Sequence, residues 1–128
     1  MHDIRITRMG VIGRITLSRP TVLNSLTEKM ISKIETAIET WRNDATILAV
    51  VIDAEGEKAF CAGGDITEIF NQAKKGNFKF GQNFWSSEYR LNLKIAQYPK
   101  PYIAFMQGFT MGGGVGISCH GSHRIVGE

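Results

Sequence analysis

Two segments of this 128-residue chain share one design, in which a short strand leads into a glycine-rich corner that opens a helix. They lie at residues 60–65 and 108–114. Glycine lets the backbone approach a ligand without a Cβ in the way, and the first amides of a helix lack intrahelical acceptors. Two such corners facing each other across a cleft would form an oxyanion hole, which stabilises negative charge on a carbonyl oxygen. The alternative interpretation is that these glycines only permit tight corners and close packing.

The apolar pattern around the corners predicts an α/β fold, because helical and strand periods alternate along the chain. Capping-box patterns mark two helix starts, at residues 25–28 and 65–68. Residues 71–81 are polar and predict a mobile connection. The predicted strands are residues 4–7, 11–17, 47–52, 102–106 and 123–126, the last being of core quality and ending the chain. The predicted helices are residues 25–43, a stretch from residue 65, residues 84–96 and a stretch opened by residues 112–114.

Composition limits the class of protein. Apolar residues make up 43% and charged residues 21%, which is typical of a globular domain. The formal charge is +3, but the basic residues are scattered, so we expect no nucleic-acid surface. No apolar run is long enough to cross a bilayer, so we expect no membrane partner. The two cysteines offer no disulfide framework, which favours a reducing compartment, and we expect the cytoplasm.

Three segments resemble the crotonase (enoyl-CoA hydratase/isomerase) family. Phe-Cys-Ala-Gly-Gly-Asp-Ile at residues 60–66 is similar to its first signature. Residues 100–108 with the triplet at 112–114 are similar to its second signature, and residues 19–26 to the loop before its first long helix. The resemblance covers essentially the whole chain. It implies the crotonase (ClpP-like) fold of ββα repeats, with residues 1–128 as a single N-terminal portion and the C-terminal part missing.

The resemblance also implies a site for an acyl-coenzyme A thioester. The oxyanion donors carried over from the family are the amides of Gly64 and Gly113. Coenzyme A enters only as part of the substrate, and we expect no other cofactor and no metal. Asp65 has a second interpretation, the cap of its helix, which we favour. The residues implied in coenzyme A binding are Val22, Leu23, Ala62, Gly63, Asp65 and Ile66.

The resemblance is strongest to the 3-hydroxyisobutyryl-CoA hydrolase branch, which acts in valine breakdown. In hydratases a catalytic glutamate stands two residues after the glycine triplet, but Gly116 occupies that position here. A glycine cannot transfer a proton, so hydration is disfavoured. In the hydrolase branch a glutamate that matches Glu88 contacts the substrate, although a solvated helix glutamate is the ordinary alternative. The branch's main catalytic carboxylates would follow Glu128, so we expect residues 1–128 alone to be inactive.

Two other functions remain open at this stage. One is the hydratase or isomerase chemistry of the same family, and the other is a non-catalytic homologue that binds acyl-CoA or RNA. Family members assemble through C-terminal helices, so a homo-oligomer is expected only at full length. Cys61 beside its corner suggests a nucleophile, but a small buried residue is favoured. Cys119, His120 and His123 form at most half of a zinc site.

Overall fold

A computed structural model describes residues 3–128. Its centre is a five-stranded sheet in the order β1-β2-β3-β5-β7, with a separate pair formed by β4 and β6. The strands are β1 (Ile4–Met9), β2 (Ile12–Leu17), β3 (Ala49–Ala54), β4 (Ala59–Cys61), β5 (Tyr102–Met106), β6 (Phe109–Thr110) and β7 (His123–Val126). The helices are α1 (Glu28–Arg42), α2 (Ile66–Lys74), α3 (Lys79–Ala96) and α4 (Gly113–Cys119), with a 3₁₀ turn at Pro20–Val22.

The sheet begins with a hairpin and continues in parallel. β1 pairs antiparallel with β2 across a tight turn at Gly10. β2, β3, β5 and β7 then pair in parallel, and the connections between them contain the helices. This arrangement confirms the predicted α/β fold.

Helix α1 covers the sheet with the apolar face that its sequence predicts. Thr27 caps the helix, since its hydroxyl accepts a hydrogen bond of 3.1 Å from the Met30 amide. Burying such a face supplies most of the stability of a helix in a protein. The buried residues of α1 are Met30, Ile31, Ile34, Ala37, Ile38 and Trp41. No helix within residues 3–128 combines the length and apolarity that a membrane crossing needs.

Two predictions of local structure need correction. Residues 71–81 were predicted as one mobile connection, but residues 71–74 belong to α2 and residues 79–81 belong to α3, and the two helices pack together where Ile69 lies against the buried Gly81. β6 lies inside the predicted glycine corner, where no strand was expected, and its pairing with β4 makes it a strand. β7 forms the predicted strand, and its four residues are exposed, with Val126 at 77%.

Asn24 holds the loop before α1 in place. It is fully buried and has a φ of 55°, a left-handed conformation that asparagine tolerates better than most residues. Its side-chain nitrogen donates to the carbonyl oxygens of Glu55 (2.9 Å) and Ala59 (3.0 Å). Its side-chain oxygen accepts from the Arg19 amide at 2.8 Å. One side chain thus ties the loop to the start of β4.

We expect Asn24→Ala to lower the free energy of unfolding by about 2–4 kcal/mol, because it leaves buried backbone groups without partners. Asn24→Asp should be similarly harmful, since a carboxylate cannot donate to two carbonyls. Denaturant unfolding checks both. Asn43→Ala is the control: its exposed amide makes one long bond, of 3.4 Å, and its loss should cost less than about 0.5 kcal/mol. Equal effects at positions 24 and 43 would contradict the assignment.

Candidate active site

The two glycine corners meet because β4 and β6 are neighbours. Cys61 and Thr110 are paired in this short sheet, and the Met111 amide donates to the Cys61 carbonyl at 3.0 Å. Both corners need glycine, since φ is 120° at Gly63 and 50° at Gly112. A Cβ added to Gly63 would stand only 3.7 Å from the backbone nitrogen at the start of α4. The sequence suggested two facing corners, and the structure brings them together.

The amides of Gly64 and Gly113 are the free donors of these corners. Neither makes a hydrogen bond to an acceptor within residues 3–128. The amides of their neighbours Ala62, Asp65 and Gly114 are all engaged with backbone carbonyls, at 3.0, 2.7 and 2.8 Å. The free pair is therefore available to bind a partially negative oxygen.

The two glycines open onto one cavity of about 410 Å³. Its walls come from the first corner, from α3 and from α4. Phe84 of α3 packs beneath Gly64, where an added Cβ would be 3.0 Å from its ring. The residues that line the cavity are Gly64, Ile66, Phe84, Trp85, Glu88, Tyr89, Asn92, Gly112, Gly113, Val115, Gly116 and His120.

Glu88 carries the carboxylate of this cavity. A Cβ added to Gly113 would lie 2.8 Å from Glu88 Oε1, and a Cβ added to Gly64 would lie 3.6 Å from Glu88 Oε2. The carboxylate therefore lies against both corners. Within residues 3–128 the carboxylate accepts no hydrogen bond, and partial burial raises the pKa of Glu88 above its usual range. A carboxylate held in this way is a ready acceptor for a hydroxyl or amide of a bound molecule.

The implied coenzyme A residues lie along the outer rim of the first corner. Leu23 has a left-handed φ of 56°, and its carbonyl accepts the Ala62 amide at 3.0 Å, so the two early loops are joined. Val22 and Ile66 are exposed at 45% and 68%. Gly63 is buried in the corner between them. Their role in binding stays a prediction.

Asp65 is the N-cap of α2, as the favoured interpretation has it. Its Oδ1 accepts the Thr67 amide at 3.0 Å, and its Oδ2 pairs with Arg19 at 3.2 Å. Partial burial alone would raise the pKa of Asp65, but these hydrogen bonds and the guanidinium bring it below the usual carboxyl range.

Cys61 is fully buried, and burial raises the pKa of its thiol to about 11. The thiol is therefore neutral at physiological pH, which agrees with the favoured interpretation of a small core residue. Cys119 is exposed and free. No three His, Cys, Asp or Glu side chains of residues 3–128 gather closely enough to hold a metal ion.

Asn92 and His120 line the cavity although neither was predicted to contribute to an acyl-CoA site, and Asn92 lies one helical turn after Glu88. The spacing of Phe84, Glu88 and Asn92 places them on one face of a helix, a signal that helical periodicity contains. His120 has no such signal, because its place depends on how α4 packs.

The structure is thus an α/β domain in which two glycine corners place two free backbone amides and a carboxylate around one cavity. The model of the enoyl-CoA hydratase/isomerase family matches residues 12–128. The chain therefore belongs to this family, and the resemblance to crotonases is confirmed.

The relatives with assigned names agree with this family. Mitochondrial 3-hydroxyisobutyryl-CoA hydrolase of Danio rerio is 46% identical over 98% of this chain, and that of Homo sapiens is 41% identical over 99%. In each case the chain spans 33% of the relative's length. A solved enoyl-CoA hydratase from Rhodobacter sphaeroides superposes with a TM-score of 0.97 at 54% identity, over 99% of this chain and 38% of that one. A carnitinyl-CoA dehydratase from Mycobacterium thermoresistibile gives 0.94 at 41% identity, over 98% and 37%.

These comparisons confirm the crotonase fold and correct the expected location. The cytoplasmic prediction is wrong, since the named hydrolase relatives are mitochondrial proteins. It rested on the cysteine count, which argues only for a reducing compartment and does not distinguish one such compartment from another.

We expect Glu88→Gln to raise the thermal unfolding midpoint at neutral pH. The pKa of Glu88 is raised in the folded state, so ionisation costs stability as pH rises from the ordinary carboxyl pKa through the folded value. The gain should therefore shrink and vanish as pH falls below the ordinary range, where both states are protonated. Calorimetry from pH 3 to 8 measures it. Glu68→Gln, on an exposed residue of α2, is the control. A gain that does not depend on pH would refute this account of Glu88.

Proposed function

We propose that this chain supplies the acyl-CoA-binding and oxyanion-stabilising part of an enzyme that hydrolyses the thioester of 3-hydroxyisobutyryl-CoA, a reaction of valine breakdown. The observation that carries the proposal is the pair of free amides, at Gly64 and Gly113, beside the half-buried Glu88. The names of the curated relatives support the choice of substrate.

In the proposed reaction, a nucleophile attacks the thioester carbonyl carbon and the carbonyl oxygen becomes negative. The amides of Gly64 and Gly113 would donate to that oxygen, and one such donor contributes roughly 2.7–4 kcal/mol to transition-state stabilisation. When the carbon–sulfur bond breaks, the electrons return to the carbonyl and the coenzyme A thiolate leaves. The base that activates the attacking group is not assigned to any residue of this chain.

Glu88 is proposed to bind the acyl group rather than to attack it. Its carboxylate lies against both corners and accepts no hydrogen bond within residues 3–128, which suits an acceptor for the substrate's hydroxyl. The coenzyme would lie along Val22, Leu23 and the backbone of the first corner. Leu23 and Ala62 already join these loops, so this surface is formed before the substrate arrives.

The alternative function is hydration or isomerisation of an enoyl-CoA by the same oxyanion hole. The 54% identity to a solved enoyl-CoA hydratase favours it. Gly116 argues against it, because a glycine stands where the family's hydratases place a catalytic glutamate. A non-catalytic homologue that binds acyl-CoA or RNA is the remaining alternative.

The test compares two reactions of the gene product expressed at full length. We expect free coenzyme A thiol to be released from 3-hydroxyisobutyryl-CoA, followed with a thiol reagent. Crotonyl-CoA, followed by its ultraviolet absorbance, should not be hydrated at a comparable rate. Hydration without thiol release would reject the hydrolase in favour of the alternative. Acyl-CoA binding without either reaction would favour the non-catalytic homologue.

Gly113→Ala tests the oxyanion hole itself. The added Cβ would lie 2.8 Å from Glu88 Oε1, so the carboxylate or the start of α4 must shift. We expect the amide of residue 113 then to point away from the substrate's carbonyl oxygen. We expect kcat to fall by about 10²–10³-fold, as when one oxyanion donor is lost. Gly127→Ala is the matched control, because its Cβ would meet nothing closer than 3.7 Å. Equal kcat values for the two variants would exclude Gly113 from the site.

A further inference from the structure

The space beside Gly116 is already occupied by Asn92. Gly116 is buried in α4, and a Cβ added to it would lie 2.5 Å from Oδ1, 2.6 Å from Nδ2 and 2.8 Å from Cγ of Asn92. Real Cβ atoms are not found this close to other heavy atoms. The side chain of Asn92 therefore takes the volume that any side chain at position 116 would need.

Asn92 also joins α3 to α4 by hydrogen bonds. Its amide faces two carbonyl groups, so its nitrogen must point towards them. In that orientation the nitrogen donates to the carbonyl oxygen of Glu88 at 3.3 Å and to that of Gly116 at 3.2 Å. One bond stays within α3, and the other crosses to α4.

These bonds act on the backbone of the residue that carries the active-site carboxylate. α4 begins at Gly113, whose amide is one of the two free donors, and Glu88 Oε1 lies against that same residue. A tie between Glu88 and Gly116 therefore fixes the distance between the carboxylate and the oxyanion hole. Small misplacements of such groups cost large factors in rate.

We propose that Asn92 is a positioning residue that holds Glu88 against the oxyanion amides. We further infer that Asn92 and Gly116 together determine which helix supplies the carboxylate of the site. With asparagine at 92 and glycine at 116 the carboxylate comes from α3, and a side chain on α4 at position 116 would require the Asn92 side chain to move and break its two hydrogen bonds. The choice of reaction to measure rests on the proposed function, whereas the contacts of Asn92 do not depend on it.

The experiment is a double-mutant cycle in the full-length gene product, with Asn92→Ala, Glu88→Gln and the double variant. If Asn92 acts through Glu88, then Asn92→Ala should lower kcat/KM for 3-hydroxyisobutyryl-CoA hydrolysis by about 10–100-fold when Glu88 is present. In the Glu88→Gln background it should cost less than about twofold. Asn92→Asp should match Asn92→Ala, because a carboxylate cannot donate to the two carbonyls. Asn83→Ala, on an exposed asparagine of the same helix, should change nothing.

A loss of the same factor in both backgrounds would overturn the proposal, since a merely structural role does not depend on Glu88. No loss from Asn92→Ala would overturn it as well. Thermal unfolding tests whether Asn92 occupies the space that a side chain at position 116 would need. Gly116→Ala should lower the unfolding midpoint, and adding Asn92→Ala should restore it. A midpoint as low in the double variant as in Gly116→Ala would show that the two side chains do not compete for this space.

The proposed function can fail separately from this inference. If the protein hydrates crotonyl-CoA and releases no thiol, the same cycle is measured on hydration. If it catalyses neither reaction, the cycle is measured on the Kd of a thioether analogue of 3-hydroxyisobutyryl-CoA. Coupling between positions 92 and 88 supports the inference in each case, and additive effects reject it.

Discussion

The site depends on one backbone contact, the hydrogen bond of 3.0 Å from the Met111 amide to the Cys61 carbonyl. This bond lies at the end of the β4–β6 pair, where both strands lead into their glycine corners. α4 then lies so close to β4 that a Cβ on Gly114 would stand 2.2 Å from the Cys61 carbonyl oxygen. Because the two strands are parallel neighbours, both helices start on the same side of the pair. The two free amides thus lie together as a consequence of strand pairing, without a side chain to aim them.

A second set of bonds decides which amides stay free. The loop before α1 runs alongside the first corner, where Leu26 donates to the Gly63 carbonyl at 2.8 Å and accepts from Asp65 at 2.7 Å. Those bonds pass over Gly64 and leave its amide without a partner. Asn24 holds this loop in place through its hydrogen bonds to the carbonyl oxygens of Glu55 and Ala59, which precede and begin β4. Which amide of the first corner stays free therefore depends on a loop that precedes the corner by some forty residues, about the span of one helix and one strand.

Most of the fold and half of the site could be predicted from the sequence. Apolar periodicity is a local signal, so the ends of α1, β1, β2 and β3 were predicted within three residues. The two corners were predicted because glycine marks them. The parts that were missed depend on tertiary contacts. β6 is a strand only because it pairs with β4, and residues 71–74 and 79–81 are helical where α2 and α3 pack at Ile69 and Gly81. The use of Asn92 could not be predicted either, since it is visible only once α3 and α4 are packed.

The arrangement around Glu88 shows why a glycine at position 116 is not simply a lost residue. A carboxylate in this cavity carries a desolvation cost, seen in the raised pKa of Glu88, and a second carboxylate beside it would raise that cost further. A charged side chain at the facing position of α4 would therefore be unfavourable while α3 carries Glu88. Gly116 has no side chain, and the amide of Asn92 occupies the space beside it and donates to two carbonyl oxygens. A neutral amide that donates to both helices thus lets α3 and α4 pack closely next to the carboxylate.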